Sequence, residues 1–99
     1  MGIIMDRIRS FADAETKNIY EQTRSLKLPF EIQHIALRKL ILLDHAETLE
    51  DLRLPPANHL EKLKGDRTGQ YSIRINAKYR ICFRYGNGYY FDVEICDYH

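Results

Sequence analysis

Apolar positions change their period part-way along the chain. Ile32, Ile35, Ala36, Leu40 and Leu43, with Lys39 among them, recur at three- and four-residue steps. That spacing predicts one face of an α-helix, and Pro29 suits its first turn. Leu37, Ile41 and Leu42 widen the stripe, so this helix is expected to be buried over much of its circumference. From Tyr71 onward the period is two. Tyr71, Ile73 and Ile75 alternate with Ser72, Arg74 and Asn76, and Tyr79, Ile81, Phe83 and Tyr85 alternate with Arg80, Cys82 and Arg84. A last run puts Phe91, Val93 and Ile95 on one face and Asp92, Glu94 and Cys96 on the other. Gly86-Asn87-Gly88 predicts the hairpin between the last two strands, because Asn and Gly tolerate positive φ. A tight turn near Asn76-Ala77 joins the preceding pair.

The remaining signals are weaker. Residues 7–11 have the makings of a short strand. Asp13 is a plausible N-cap for a helix through Glu21, extending at most to Ser25. Thr48 with Asp51 three residues on resembles a capping box for one short turn. Pro55-Pro56 is expected to stop any helix. Everything after it reads as sheet, beginning with a poorly patterned strand over His59–Leu63 that ends at Lys64-Gly65-Asp66. The sum is an α+β fold: N-terminal helices packed on one face of a small, mostly antiparallel sheet. The other face displays Arg74, Arg80 and Arg84 from neighbouring strands, a candidate basic concave surface.

The chain's 99 residues suffice for a single domain spanning 1–99. No apolar run approaches the ~20 residues of a membrane span, and Asp6 and Arg7 interrupt the apolar start, so a cytoplasmic protein without a secretory leader is expected. Cys82 and Cys96 lack any Cys-x-x-Cys or Cys/His ligand spacing and read as buried free thiols, with a disulfide as the less favoured alternative. A net charge of +1 conceals segregation. Residues 59–85 set Lys62, Lys64, Arg67, Arg74, Lys78, Arg80 and Arg84 against only Glu61 and Asp66, whereas residues 44–53 set Asp44, Glu47, Glu50 and Asp51 against Arg53. Such a basic segment suggests an anionic partner at one surface.

The chain closes on Asp97-Tyr98-His99, an acid, a phenol and an imidazole directly after a strand. RNA cleavage needs a base for the 2′-hydroxyl, cations for the charge on the transition state, and an acid for the leaving 5′-oxygen. An aromatic ring or Arg plane to stack an unpaired base completes the set. His99 and Asp97 are proton-transfer candidates, Arg80 and Lys64 phosphate clamps, and Tyr79, Tyr98 or Arg67 stackers. Lys78, Arg74 and Arg84 add phosphate contacts. By parity Asp97 and His99 continue the core-facing set, so the strand must end or twist by Cys96 for both to reach the basic face. His34 and His45 read as structural, and no defensible ligand set points to a metal or a cofactor. Gly65-Asp66-Arg67-Thr68-Gly69 lacks the strand and helix context of a phosphate loop. It reads as a hairpin connection.

Leu63-Lys64-Gly65-Asp66-Arg67, Gly69-Gln70-Tyr71-Ser72-Ile73-Arg74-Ile75-Asn76, Tyr79-Arg80-Ile81-Cys82-Phe83 and the closing Val93-Glu94-Ile95-Cys96-Asp97-Tyr98-His99 resemble the HigB-type toxins of the RelE/ParE superfamily. The resemblance runs from Arg9-Ser10-Phe11 onward, so residues 1–4 read as an N-terminal extension and Met5 as an alternative start. It implies a RelE-like fold and ribosome-dependent cleavage of messenger RNA in the A site. It also implies a HigA-type helix-turn-helix antitoxin, through which alone the toxin meets operator DNA. By this resemblance Asp97, Tyr98, His99 and Arg80 are catalytic, and Lys64 matches the basic residue before the Gly-Asp turn. Tyr79 replaces a Trp. Glu61 stands where some members have a His, and His59, on the same face of an extended strand, is the substitute considered for that role. A ParE-like gyrase poison and a non-catalytic antitoxin-binding module are the alternatives.

Overall fold

A computed structural model describes residues 7–97. Helix α1 spans Ala14–Tyr20, and the Asp13 side chain caps it by accepting from the Thr16 N–H at 2.6 Å. It stops at Tyr20, short of the expected end, because Gln22 turns left-handed at φ 63°. The Gln22 N–H then reaches the Ile19 carbonyl and the Thr23 N–H the Asn18 carbonyl, closing off the helix end. Helix α2 spans Phe30–His45 with Pro29 at its N-cap. Its buried stripe is Ile32, Ala36, Leu40 and Leu43, with Asp44 beside it. The burial is narrower than expected, since Ile41 is 42% exposed. The Thr48–Asp51 capping box forms as expected, over a 3-10 turn at Leu49–Arg53. The turn ends at Arg53, with Leu54 extended ahead of Pro55-Pro56, as expected. Pro56 then begins a second 3-10 turn, Pro56–Asn58, where a proline at the first position sacrifices no hydrogen bond.

The sheet is an antiparallel meander in the order β1 (Glu61–Lys62), β2 (Tyr71–Arg74), β3 (Tyr79–Gly86) and β4 (Tyr89–Asp97). Strand β1 is shorter than the expected 59–63, because His59 takes a left-handed conformation at φ 46° and cannot join the ladder. A further 3-10 turn, Gly65–Arg67, also interrupts the region read as sheet. Asn87 and Gly88, both at positive φ, make the two-residue β3–β4 turn. Residues 8–11 lie parallel to the outer edge of β4, with bridges Ile8–Tyr90 and Phe11–Val93, so the short N-terminal strand is only two isolated contacts.

One irregularity reverses a face assignment. Cys82 pairs with Glu94 and Arg84 with Phe91, so Phe83 alone opposes both Asp92 and Val93. This bulge is held by positive φ at Asp92, whose N–H donates to Ser10 Oγ at 2.8 Å. As a result Tyr90, not Phe91, points into the core. Tyr90 is fully buried and donates to the Ala46 carbonyl at 2.9 Å, whereas Phe91 is 38% exposed.

The core lies between the helices and one face of the sheet. Ile19, Ile32, Ala36, Leu40 and Leu43 meet Ile73, Ile81, Phe83, Tyr90, Val93 and Ile95. Buried Asp44 accepts from the Ile8 N–H at 3.0 Å and from the Tyr20 hydroxyl, tying the N-terminal stretch and α1 to α2. Thr16 Oγ1 accepts from the Ile95 N–H at 2.9 Å, which anchors the end of β4 to α1. That anchor sets the position of Asp97, the last described residue.

Candidate functional site

The site is built on the sheet face turned away from the helices. Strand alternation sends Ser72 and Arg74 of β2, Arg80, Cys82 and Arg84 of β3, and Glu94 and Cys96 of β4 to that face. It is not bare. Ser72 and Cys82 are both fully buried, and two arginines lie across this face. Arg80 reaches over β2: its Nε donates to Ser72 Oγ at 2.7 Å, and its Nη2 donates to the His59 carbonyl. The same guanidinium stands 3.7 Å from Glu61 Oε1 on β1, and the Arg80 side chain is only 11% exposed. Arg67, from the turn after β1, reaches the other way to Gln70 Oε1 at 2.9 Å and Glu94 Oε1 at 3.2 Å. The Glu94 hydrogen bond raises the Arg67 pKa, against the opposing effect of burial.

The loop that presents His59 is held from below. Buried Asn58 donates to the Leu52 and Leu54 carbonyls at 3.1 and 3.2 Å and accepts from Lys39 Nζ. Burial, with the nearby Arg38 charge, lowers the Lys39 pKa. Lys39 thus joins α2 to the backbone that fixes Arg80, a role its place in the helical stripe gave no hint of.

The basic residues separate into two groups. Arg67, Lys78, Arg80 and Arg84 each face an acid, at Glu94, Asp97, Glu61 and Asp92 respectively. Lys62, Lys64 and Arg74 make no ion pair among the described residues; Arg74 Nε donates to the Asn76 carbonyl. Lys64 is exposed at the start of the Gly65–Arg67 turn. The face is therefore less positive than its arginines suggest, and the uncompensated charge concentrates near β1 and β2. Arg84 also lies over Gly69, where a Cβ would come within 2.9 Å of its Nη1.

The expected site residues do not all gather. Strand β4 neither ends nor twists away at Cys96. Asp97 still pairs with Tyr79 and Cys96 with Arg80, so Asp97 and Arg80 leave the sheet on opposite faces. Asp97 is exposed beside Lys78 Nζ at 3.7 Å. Tyr79 packs partly against the core, with the Lys78 ammonium 5.7 Å from its ring centroid. Tyr98 and His99 lie outside the described residues. His59 lies off the strand but stays at the site through its carbonyl. The residue that sequence reasoning passed over is Glu61. Its signal was only that it occupies the position where some HigB-type toxins have a His.

A family model for the RelE-like toxin of the type II toxin-antitoxin system HigB matches residues 9–99. The chain belongs to this family of toxins. Toxin HigB-1 of Vibrio cholerae is 39% identical over 79 residues, 79% of this chain and 83% of that protein. Endoribonuclease HigB of Proteus vulgaris is 30% identical over 92 residues, 93% of this chain and 99% of that one. The fold is also similar to a chain of the YoeB-YefM complex from Staphylococcus aureus, with a TM-score of 0.58 and 21% identity over 93% of this chain and 94% of that one. The α+β, RelE-like architecture expected from sequence is the one observed. As a toxin of a type II system, the protein has an antitoxin for a partner. No helix among the described residues is long and apolar enough to cross a membrane.

Proposed function

We propose that this HigB-type toxin is a ribosome-dependent endoribonuclease that cuts messenger RNA in the A site and so stops translation in the cytoplasm. The observation that carries this reading is the fixed Arg80 guanidinium beside the Glu61 carboxylate, 3.7 Å away, on an outward sheet face. A cation already oriented by Ser72 Oγ and the His59 carbonyl needs no rearrangement when charge develops on a phosphate.

In this mechanism a base takes the proton of the 2′-hydroxyl, the 2′-oxygen attacks the adjacent phosphorus, and the bond to the 5′-oxygen breaks as an acid protonates it. Arg80 and Lys64 offset the charge on the phosphorus centre. In-line displacement puts base and acid on opposite sides of that centre. Glu61 joins His59, Asp97 and His99 as a candidate base, and it lies on Arg80's own face of the sheet. Asp97, the last residue of β4, then suits the leaving-group side, and Tyr98 and His99, which follow it in sequence, remain candidates for the acid. Lys62, Arg74, Lys78 and Arg84 contribute phosphate contacts, and Arg67 is a stacking plane already fixed by Glu94. The cognate partner is a HigA-type helix-turn-helix antitoxin, through which the pair meets operator DNA.

Block-specific labelling after induction tests the reading. Incorporation of amino acids should fall within minutes while DNA synthesis continues. A DNA-damage response with translation intact would instead identify a gyrase poison.

A further inference from the structure

We propose that Cys82 and Cys96 are a reversible dithiol-disulfide pair built into the β3–β4 ladder. Arg80 pairs with Cys96 and Cys82 with Glu94, so the two cysteines are diagonal neighbours on the same sheet face. Both are free thiols, and their Sγ atoms lie 2.8 Å apart. A bond of about 2.05 Å asks the sulfurs to close by only about 0.8 Å. Each strand is held independently of the sulfurs, β4 through the Ile95–Thr16 hydrogen bond and β3 through its ladder with β2. The nuclease reading does not use either thiol, and the pair stands without it.

The two sulfurs are not equivalent. Cys82 is fully buried, with the Arg67 and Arg80 charges near it, whereas Cys96 is partly exposed. The hydrogen bond from Cys96, with the Arg67 and Arg80 cations, lowers the Cys82 pKa; the same hydrogen bond and burial raise that of Cys96. Oxidised glutathione, a small-molecule disulfide, meets Cys96 first because Cys82 is fully buried and only Cys96 is reached from solvent. As Cys96 Sγ attacks one glutathione sulfur, the glutathione S–S bond breaks, and the proton Cys96 gives up passes through solvent to the departing sulfur, which leaves as a glutathione thiol. Cys82 then attacks Cys96 Sγ, gives up its proton and expels the second glutathione. The balance is two protein thiols oxidised and one glutathione disulfide reduced to two thiols. The product replaces an ionisable sulfur beneath Arg67 and Arg80 by a neutral one, and ties the strand that carries Asp97 to β3.

The test is intact mass and thiol alkylation of the full chain after exposure to oxidised glutathione, with Cys82→Ser and Cys96→Ser alongside. The wild type should lose two hydrogens and both alkylation sites, and recover them on reduction. Cys82→Ser should stop at a glutathione adduct on Cys96, and Cys96→Ser should stay unmodified while folded. Two persistent free thiols in the wild type, a covalent dimer, or ready modification of Cys82 in Cys96→Ser would each overturn the proposal.

Discussion

Arg80 and Asp97 occupy adjacent rungs of the β3–β4 ladder but opposite faces of the sheet, Arg80 across from Cys96 and Asp97 across from Tyr79. In the proposed mechanism a phosphate held at Arg80 would be approached directly by Glu61, whereas Asp97 would reach it only around the end of β4. This geometry suits two proton-transfer groups acting from opposite sides of one phosphorus atom.

Glu61→Gln should lower the single-turnover cleavage rate about 100-fold, the lower part of the range for removing a general base. Arg80 keeps its Ser72 and His59 contacts in that variant, so circular dichroism and melting temperature should be unchanged. A near-normal rate would return the base role to His59, Asp97 or His99.

Asp97→Ala should abolish toxicity while leaving fold and antitoxin binding intact. Asp97 is exposed and faces a surface lysine, Lys78, and exposed ion pairs of this kind contribute little to stability. A variant that fails to fold would mark Asp97 as structural.

Lys64→Ala and Arg67→Ala should differ in their salt dependence. Lys64 has no acid partner among the described residues, so its loss should weaken RNA binding across sequences and reduce the salt slope by about 1. Arg67 already answers to Glu94, so its loss should change the slope less. Binding measured over a range of salt concentrations separates the two.

Much of this arrangement could be read from the chain. The Ile32–Leu43 stripe, the Asp13 cap, the Thr48–Asp51 box and the Asn87-Gly88 turn are local codes, each set by residues within a few positions. The opposite parity of Arg80 and Asp97 was legible too, because alternation persists to the end of β4. The Asp92 bulge was not: an Asp at positive φ carries no periodic mark, yet it exchanges Tyr90 for Phe91 in the core. Nor was the Arg80–Glu61 pair, which crosses an intervening strand and depends on a left-handed His59 to aim the carbonyl.

Tyr90 gives the fold a dependence on alkaline pH. Burial, then Tyr85 and Asp51, raise its phenol pKa above the ordinary range. The unfolded chain releases that proton near pH ~10 while the folded chain holds it, so this contribution is complete below pH ~10 and is lost as pH rises beyond it. Tyr90→Phe should cost about 1–2 kcal/mol at neutral pH, by leaving the Ala46 carbonyl unpaired. It should also flatten the fall in stability above pH ~10, as urea titrations at stepped pH would record.

Primer extension on a defined message, with and without purified ribosomes, tests the central claim most directly when wild type is run beside Arg80→Ala. Cuts within the A-site codon are expected only when ribosomes are present, with a loss of more than about 10-fold in the variant. Equal cutting by both proteins, or none by a folded wild type, would contradict it.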